Sequence, residues 1–492
     1  MLDESTYTAL SALDIAREVN ARQLSAVDVA ETALALAAER GPRYGAFTHV
    51  AADRARADAG RTDRRIADGE RPALAGVPCP IKDLNPVAGL PWEAGSAAMK
   101  GNRATADDPI VGWFGEAGTS MLGKTTVPEF GLPCYTEPNT AAAAVTPWDP
   151  ARSAGGSSGG AAAAVASGIV PIAHASDGGG SIRIPASACG LVGLKVSRGL
   201  ISSGDRPPGP GLGTDGVLSR TVRDTALALD VLAGPRPGDT YWAPVAPGGY
   251  LAACDRPPRG LRIGLLTTPV IAADAVVHPE CLAAATGAAR LLEDLGHHVD
   301  EAPPPFAAEQ WQAFAAVWAV GALGIPLPPA AEAALTPLTR WLRDGGRTTA
   351  AVDYAAALAA IQVLTRQVAG AWADFDVILT PTLAQPPAPV GSLRDDADPA
   401  GDFAAQTRFT PWTSVSNLTG RPAISLPLHT ARVDGPDSPE LPIGVMLGGR
   451  FGDEATLLGL AAALEAAAPW GRPPVSRTSI TPSPRSTPSS RT

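Results

Sequence analysis

Between Ser11 and Arg40 the apolar positions form two helical repeats separated by a break at Gln23-Leu24-Ser25. Val27, Ala30, Ala33, Leu34 and Ala37 share one face of the second repeat, and Ser25 followed by Asp28 is a capping arrangement for it. Ala51 to Ala67 interleaves Asp with Arg, which predicts a helix with a solvated charged surface. Further on, helix-like and strand-like segments alternate. Asp108 to Ala117 predicts a helix, Thr119 to Gly123 a short strand, Gly160 to Ser167 a helix and Ile169 to Ala175 a strand. Leu218 to Gly234 reads as an amphipathic helix stopped by glycine, Gly260 to Leu266 as a strand, His278 to Leu295 as a helix and His297 to Asp300 as a strand. Helices around Ala307–Val320 and Val352–Trp372 precede a strand at Asp376–Thr380. A hairpin of Pro422–Leu428 with Ile443–Leu447 closes the pattern, its long loop holding Asp434, Asp437 and Glu440. Such alternation predicts a layered α/β body.

One stretch departs from these periods. Ser153 to Pro185 holds two serine-bearing glycine turns, Gly155-Gly-Ser-Ser-Gly-Gly160 and Asp177-Gly-Gly-Gly-Ser181, joined by an alanine-rich segment and an apolar run. Glycine loses more backbone freedom on folding than any other residue, so an idle run of it is costly. A flexible linker would be a polar repeat, and Ile169 to Ala175 is apolar. A phosphate-binding loop would end in Gly-Lys-Ser/Thr, which is missing here. Bare N–H groups in such turns can hold a developing oxyanion, which makes Ser157 and Ser181 candidate active-site hydroxyls.

Lys82 stands among apolar residues and prolines in Gly76-Val-Pro-Cys-Pro-Ile-Lys-Asp-Leu84, where an ion-paired structural lysine is the ordinary reading. Lys124, in a strand-to-loop turn, reads as surface or ion-paired. His174 precedes the second glycine turn and reads as structural, since His49, His278, His297, His298 and His429 stand outside any motif. The His297-His298 pair has no further ligand at metal spacing and reads as a surface loop.

Composition narrows the setting. Of 492 residues, 45% are apolar and 18% charged, which permits a substantial core. A net charge of −10 with no basic block argues against nucleic acid as a partner. Five scattered cysteines without a Cys-x-x-Cys pair predict neither a disulfide framework nor a zinc site, and suit a reducing cytoplasm. Met1 to Ser5 lacks the pattern of a signal peptide, and no uninterrupted apolar stretch is long enough to span a bilayer. The expectation is a cytoplasmic protein with no membrane partner and a disordered Ser/Thr/Pro-rich tail at 475–492.

The two glycine turns, with Ser176-Asp-Gly-Gly-Gly-Ser-Ile-Arg-Ile-Pro185, resemble the signature of the amidase signature family of serine hydrolases. The resemblance runs from about Ser11 to Pro474 and includes Gly76–Leu84, Leu122-Gly-Lys-Thr-Thr-Val-Pro-Glu129, Cys189-Gly-Leu-Val-Gly-Leu-Lys195, Thr221-Val-Arg-Asp-Thr-Ala226, Leu379-Thr-Pro-Thr382 and Asn417–Pro427. It implies an amidase-signature fold, a central twisted mixed β-sheet covered by helices on both faces. It also implies one amidase domain over 1–474, with N-terminal helices at 1–70, a catalytic core at 71–235 and a variable helical cover at about 303–371.

The resemblance further implies a Ser–cis-Ser–Lys triad of Ser181, Ser157 and Lys82, with Ser157 in a cis peptide after Gly156, and reverses the ordinary reading of Lys82. As a base that lysine must be neutral, and burial favours the neutral amine. Gly178, Gly179, Gly180 and Ser181 would offer the oxyanion N–H groups. Ser158 would hydrogen-bond within the relay, and Asp177 and Arg183 would hold the loop. Phe130, Leu132, Tyr135 and Trp318 are candidate pocket residues, with Trp311 and Trp341 as further tryptophans of the cover. Many relatives carry Thr where this chain has Gly178, so the turn here is looser. No metal or organic cofactor is implied, the substrate is a small-molecule amide, and the resemblance is compatible with a homodimer.

Within the family, Thr136-Glu-Pro138, Val145-Thr-Pro-Trp148, Arg236-Pro-Gly-Asp-Thr240 and Ala468-Pro-Trp-Gly471 are similar to 6-aminohexanoate cyclic-dimer hydrolases, which open a nylon-oligomer lactam. Broad amide, aryl-amide or carbamate (urethane) hydrolysis stands beside that substrate. A glutaminase subunit of a tRNA-dependent amidotransferase and a catalytically silent scaffold are the alternatives of other classes.

Overall fold

Helices α1 (Glu4–Ala9), α2 (Ala12–Asn20), α3 (Ala26–Tyr44) and α4 (Ala52–Ala67) form the N-terminal layer. The protein is seen in a computed structural model that describes residues 2–204 and 210–473, so the expected tail at 475–492 lies outside the described residues. Ser11 and Asp14 cap α2 reciprocally, and Ser25 caps α3 by accepting from the N–H groups of Val27 and Asp28. Ala30, Ala33, Leu34 and Ala37 of α3 enter the main core, with Val27 at its edge. Helix α4 is not solvated all round. Its Asp58 is buried, pairs with Arg54 at 3.0 Å and accepts from the Met121 N–H at 3.1 Å, because that buried donor needs an acceptor.

Strands β1 (Phe47–Val50), β2 (Ile81–Lys82) and β3 (Gly123–Thr125) make a small sheet in the order β1-β3-β2. The strand expected at 119–123 is displaced to β3, and Ser120 makes only an isolated bridge to Pro78. Strands β4 (Val145–Thr146) and β5 (Asp149–Ser153) form a two-stranded ribbon.

The central mixed sheet contains β6 (Ile172–Asp177), β7 (Val192–Lys195), β8 (Thr214–Ser219), β9 (Arg262–Leu265), β10 (His298–Glu301), β11 (Val377–Pro381), β12 (Ala423–Ala431) and β13 (Leu441–Gly448). Their order is β10-β9-β11-β13-β12-β7-β8-β6, with β9 parallel to β10 and β11 and the other pairs antiparallel. Leu218 and Ser219 belong to β8, so the helix expected from Leu218 starts only after its Thr221 cap. His297 is buried and accepts from the Leu261 N–H at 3.2 Å, and His298 opens β10; neither residue sits in a surface loop.

Helices α5 (Pro109–Glu116), α6 (Gly159–Ala166), α7 (Arg183–Cys189), α8 (Val222–Leu232) and α9 (Pro279–Asp294) follow. Over the site lie α10 (Gln312–Leu323), α11 (Pro337–Thr348), α12 (Ala351–Ala371), α13 (Pro399–Phe409) and α14 (Thr413–Thr419), and α15 (Glu454–Ala467) returns to pack on α8 and β12. The result is the expected α/β architecture with helices on both faces of the sheet. Helix α11 has no counterpart among the expected elements; its buried face is short and mixed, with Thr339, Arg343 and Gly346 beside Leu338 and Leu342. Among the described residues no single helix is long and apolar enough to cross a membrane.

Candidate active site

Lys82 ends β2, which runs parallel to β3 and packs on β6. The contact with β6 is tied by two hydrogen bonds: His174 N–H donates to the Pro80 carbonyl at 3.0 Å, and Lys82 N–H donates to His174 Nδ1 at 3.2 Å. His174 Nε2 faces Asp215 Oδ1 at 3.2 Å. The histidine therefore anchors the strand that carries the lysine and takes no place beside the serines. Lys82 is fully buried, and its Nζ lies 2.9 Å from Ser157 Oγ and 3.1 Å from the Ser176 carbonyl. Burial lowers its pKa to about 7 against the opposing pull of Asp177 and Asp215.

Ser157 follows a cis peptide from Gly156 and precedes α6. Gly131 makes room for its hydroxyl: φ there is +69°, and a Cβ would meet Leu84 Cδ1 at 2.6 Å and Ser157 Oγ at 3.1 Å. Ser158 Oγ donates to the Ser176 carbonyl at 3.2 Å, the same acceptor that Lys82 Nζ uses. Ser181 sits between β6 and α7, in the lining of the same cavity as Ser157. Its Oγ makes no hydrogen bond within the described protein.

The turn before Ser181 is fixed by one carboxylate. Asp177 accepts from Gly180 N–H at 2.8 Å, Ile182 N–H at 3.1 Å, Arg183 Nε and Nη2 both at 2.9 Å, and Asn417 Nδ2 at 2.9 Å. Burial alone would raise its pKa, yet the Arg183 guanidinium prevails and holds the carboxyl well below its usual range. This corrects one expectation. The Gly180 N–H is committed to Asp177 and is not available to an oxyanion, whereas the N–H groups of Gly178, Gly179 and Ser181 have no hydrogen bond within the described protein. Thr413 Oγ1 holds the turn from the other side by donating to the Gly179 carbonyl at 2.7 Å.

Two cavities meet at Ser181. The larger, about 390 Å³, is lined by Ser157, Gly178, Phe130, Leu132 and Trp318 among others; the smaller, about 60 Å³, by Gly179, Cys134, Trp311, Phe314 and Trp318. Tyr135 lines neither. Its ring is buried in a side cluster with Ile184 and Phe409, and its hydroxyl donates to Asp402 at 2.6 Å. Trp341 also lines neither cavity and tilts against Phe403 with centroids 5.5 Å apart.

The sequence reading missed Phe314, Asn417 and Glu129. Phe314 stands three residues after Trp311 and four before Trp318, a helical spacing that carried the signal. Asn417 opens the Asn417–Pro427 segment, where no local pattern marks its distant partner Asp177. The buried Glu129 ties the pocket loop to the cover by accepting from Ser96 Oγ at 2.7 Å and Thr336 Oγ1 at 2.6 Å. Among the described residues, no cluster of three His, Cys, Asp or Glu is arranged to hold a metal ion.

The α/β body has a cleft lined by Ser157, Ser181 and Gly178 of the turn before Ser181, with the buried Lys82 behind Ser157, and comparison with known proteins names its class. The chain belongs to the amidase family, whose family model, described as Amidase, matches residues 28–458. It is 36% identical over 438 residues to a 6-aminohexanoate-cyclic-dimer hydrolase of Pseudomonas sp. strain NK87, covering 83% of this chain and 86% of that protein. A solved structure of 6-aminohexanoate cyclic dimer hydrolase matches with a TM-score of 0.87 at 32% identity, covering 96% of this chain and 100% of the other. A bacterial aryl acylamidase of the amidase signature family matches with a TM-score of 0.81 at 30% identity, covering 94% and 96% respectively. The chain is an amidase.

Proposed function

We propose that this amidase cleaves small carboxylic amides through Ser181, Ser157 and Lys82, with an acyl-enzyme on Ser181. The observation that carries the reading is the buried Lys82 Nζ, 2.9 Å from Ser157 Oγ, with a pKa of about 7 and no carboxylate in contact. Neutral Lys82 takes the Ser157 proton as Ser157 takes that of Ser181, and Ser181 Oγ bonds to the carbonyl carbon. The N–H groups of Gly178, Gly179 and Ser181 hold the resulting oxyanion. Collapse breaks the C–N bond, and the leaving nitrogen receives a proton from Ser157, which is reprotonated by the Lys82 ammonium. Water then attacks the ester and gives its proton through Ser157 to Lys82; as the C–Oγ bond breaks, that proton passes back through Ser157 to Ser181 Oγ, the acid departs and Lys82 is neutral again. The missing hydrogen bond at Ser181 Oγ fits a relay that tightens as substrate binds.

The likeness to 6-aminohexanoate cyclic-dimer hydrolases supports that dimer or related nylon oligomers as the substrate, and the likeness to an aryl acylamidase supports aryl amides; carbamates are open to the same acyl-enzyme chemistry. Five buried free cysteines fit a reducing compartment such as the cytoplasm. The test is hydrolysis of cyclic and linear 6-aminohexanoate oligomers, aryl amides, carbamates and glutamine by the wild type and by Ser181→Ala. Turnover of cyclic dimer or aryl amide that vanishes in the variant is the expected result. Glutamine as the sole substrate, or turnover that survives in the variant, overturns the reading.

A further inference from the structure

The two cavities at Ser181 differ in what they offer the two halves of an amide. Ser181 lines both, but Ser157 lines only the larger. On the reading above, the leaving nitrogen must take its proton from Ser157, so the nitrogen side of the scissile bond lies in the larger cavity. The acyl side is then left to the smaller one.

That smaller cavity has an aromatic wall. Trp311 and Phe314 stack with centroids 5.1 Å apart, and Phe314 and Trp318 with centroids 5.3 Å apart. The wall rests directly on the glycine turn: a Cβ at Gly178 would meet the Trp318 ring at 3.3 Å, and one at Gly179 would meet Phe314 Cζ at 3.3 Å. A side chain at 178 would press on the Trp318 ring, so the glycine there leaves the ring its place against the turn.

The polar side chains of the smaller cavity are turned to other work. Gln406 donates to Asp402 Oδ1 at 2.6 Å and accepts from the Cys134 N–H at 2.8 Å. Thr407 and Thr410 donate to helix carbonyls, each at 2.8 Å, and Ser414 accepts from Trp311 Nε1 at 2.9 Å. No Lys, Arg, Asp or Glu is among the described residues of the lining. A charged acyl group entering there would lose its water and gain no counter-charge.

We infer that the smaller cavity is an acyl slot for flat, uncharged, apolar groups, with Trp318 as the residue that sets this preference, and that the larger cavity receives the amine. The inference deepens the proposed function and rests on it. A carboxylic amide with an aryl or other planar acyl group is the favoured substrate class, and an acyl chain ending in a carboxylate or an ammonium is disfavoured.

The experiment uses 4-nitroanilides that share one amine and differ in the acyl group: acetyl, phenylacetyl and glutaryl. The expected kcat/KM for phenylacetyl exceeds that for acetyl by about tenfold or more, with glutaryl below acetyl. In Trp318→Ala the phenylacetyl-to-acetyl ratio falls toward one, and Trp318→Phe, which keeps an aromatic ring in the wall, restores most of it. A flat acyl series, or a ratio unchanged in folded Trp318→Ala, overturns the inference. Labelling of Ser181 by a fluorophosphonate, read by mass spectrometry, separates the two levels. A labelled enzyme with a flat acyl series contradicts the slot alone, whereas an enzyme that resists labelling contradicts the nucleophile and the slot together.

Discussion

Two lysines on adjacent strands of the small sheet show how differently a buried amine can be held. In the β2–β3 register Ile81 pairs with Lys124 and Lys82 with Thr125, so the two side chains start from neighbouring positions, and both are fully buried. Lys124 meets a carboxylate, Asp83 Oδ1 at 2.7 Å, and the Asn85 carbonyl at 2.8 Å. Lys82 meets a hydroxyl and a carbonyl and no carboxylate. Burial lowers the pKa of both amines; at Lys124 the touching Asp83 carboxylate opposes that shift and ties the side chain into an ion pair, whereas Lys82 touches no carboxylate and faces a hydroxyl instead. Lys195 of β7 adds a third case. Its pKa is also lowered to about 7 by burial, but its Nζ donates to the Val196 carbonyl at 2.7 Å and reaches no hydroxyl, so a low pKa without a proton donor in reach makes no base.

The comparison can be broken by removing each amine in turn. Lys82→Met should lower kcat/KM by on the order of a thousandfold in the amide assay. It should not destabilise the fold. The Lys82 pKa is depressed in the folded state from 10.5 to about 7, so the unfolded chain binds the extra proton between those values and wild-type stability rises with pH across that window. The methionine variant should therefore show its largest gain in Tm over wild type at or below neutral pH, a gain that shrinks toward pH 10.5. Lys124→Met has the opposite profile. It strands the buried Asp83 carboxylate and should cost roughly 3–5 kcal/mol in a denaturant titration, while the folded fraction keeps a kcat within a few-fold of wild type.

Smaller effects sharpen the picture. Asn417→Ala removes donors to Asp177 and an acceptor of Arg183 Nη2 and leaves the cup of N–H groups less well held, so kcat should fall by about tenfold with KM little changed. Asp215→Asn removes a charge that raises the Lys82 pKa, so the acidic limb of the pH–rate profile should move to lower pH by a fraction of a unit. Lys195→Met, the control for low pKa without contact, should leave kcat/KM within a few-fold of wild type.

The candidate site was legible where it depended on local chain: two serine-bearing glycine turns and a lysine among prolines mark Ser157, Ser181 and Lys82, which the fold brings to one place. What could not be read depended on partners far along the chain. The acceptor of the Gly180 N–H, Asp177, is only three residues away, but the Asn417 that helps to hold its carboxylate in that place lies 240 residues from it. Tyr135 looked like a pocket residue because its partner, Asp402, is 267 residues distant. Asp58 sat in a run of charge that suited a solvated helix, and only the packing of α4 against Met121 buried it. The fold class followed from alternation alone, whereas α11 was hidden by a buried face that mixes Thr339, Arg343 and Gly346 with only two leucines.

The central claim is that an uncharged Lys82 draws the proton that arms Ser181. It is tested most directly by the pre-steady-state acylation rate of the wild-type enzyme followed from about pH 5 to about pH 9. The account predicts a rate that climbs tenfold per unit at low pH, bends near the Lys82 pKa of about 7 and then levels off. A rate that stays level across the whole range, or the same bend persisting in the residual activity of Lys82→Met, would contradict it.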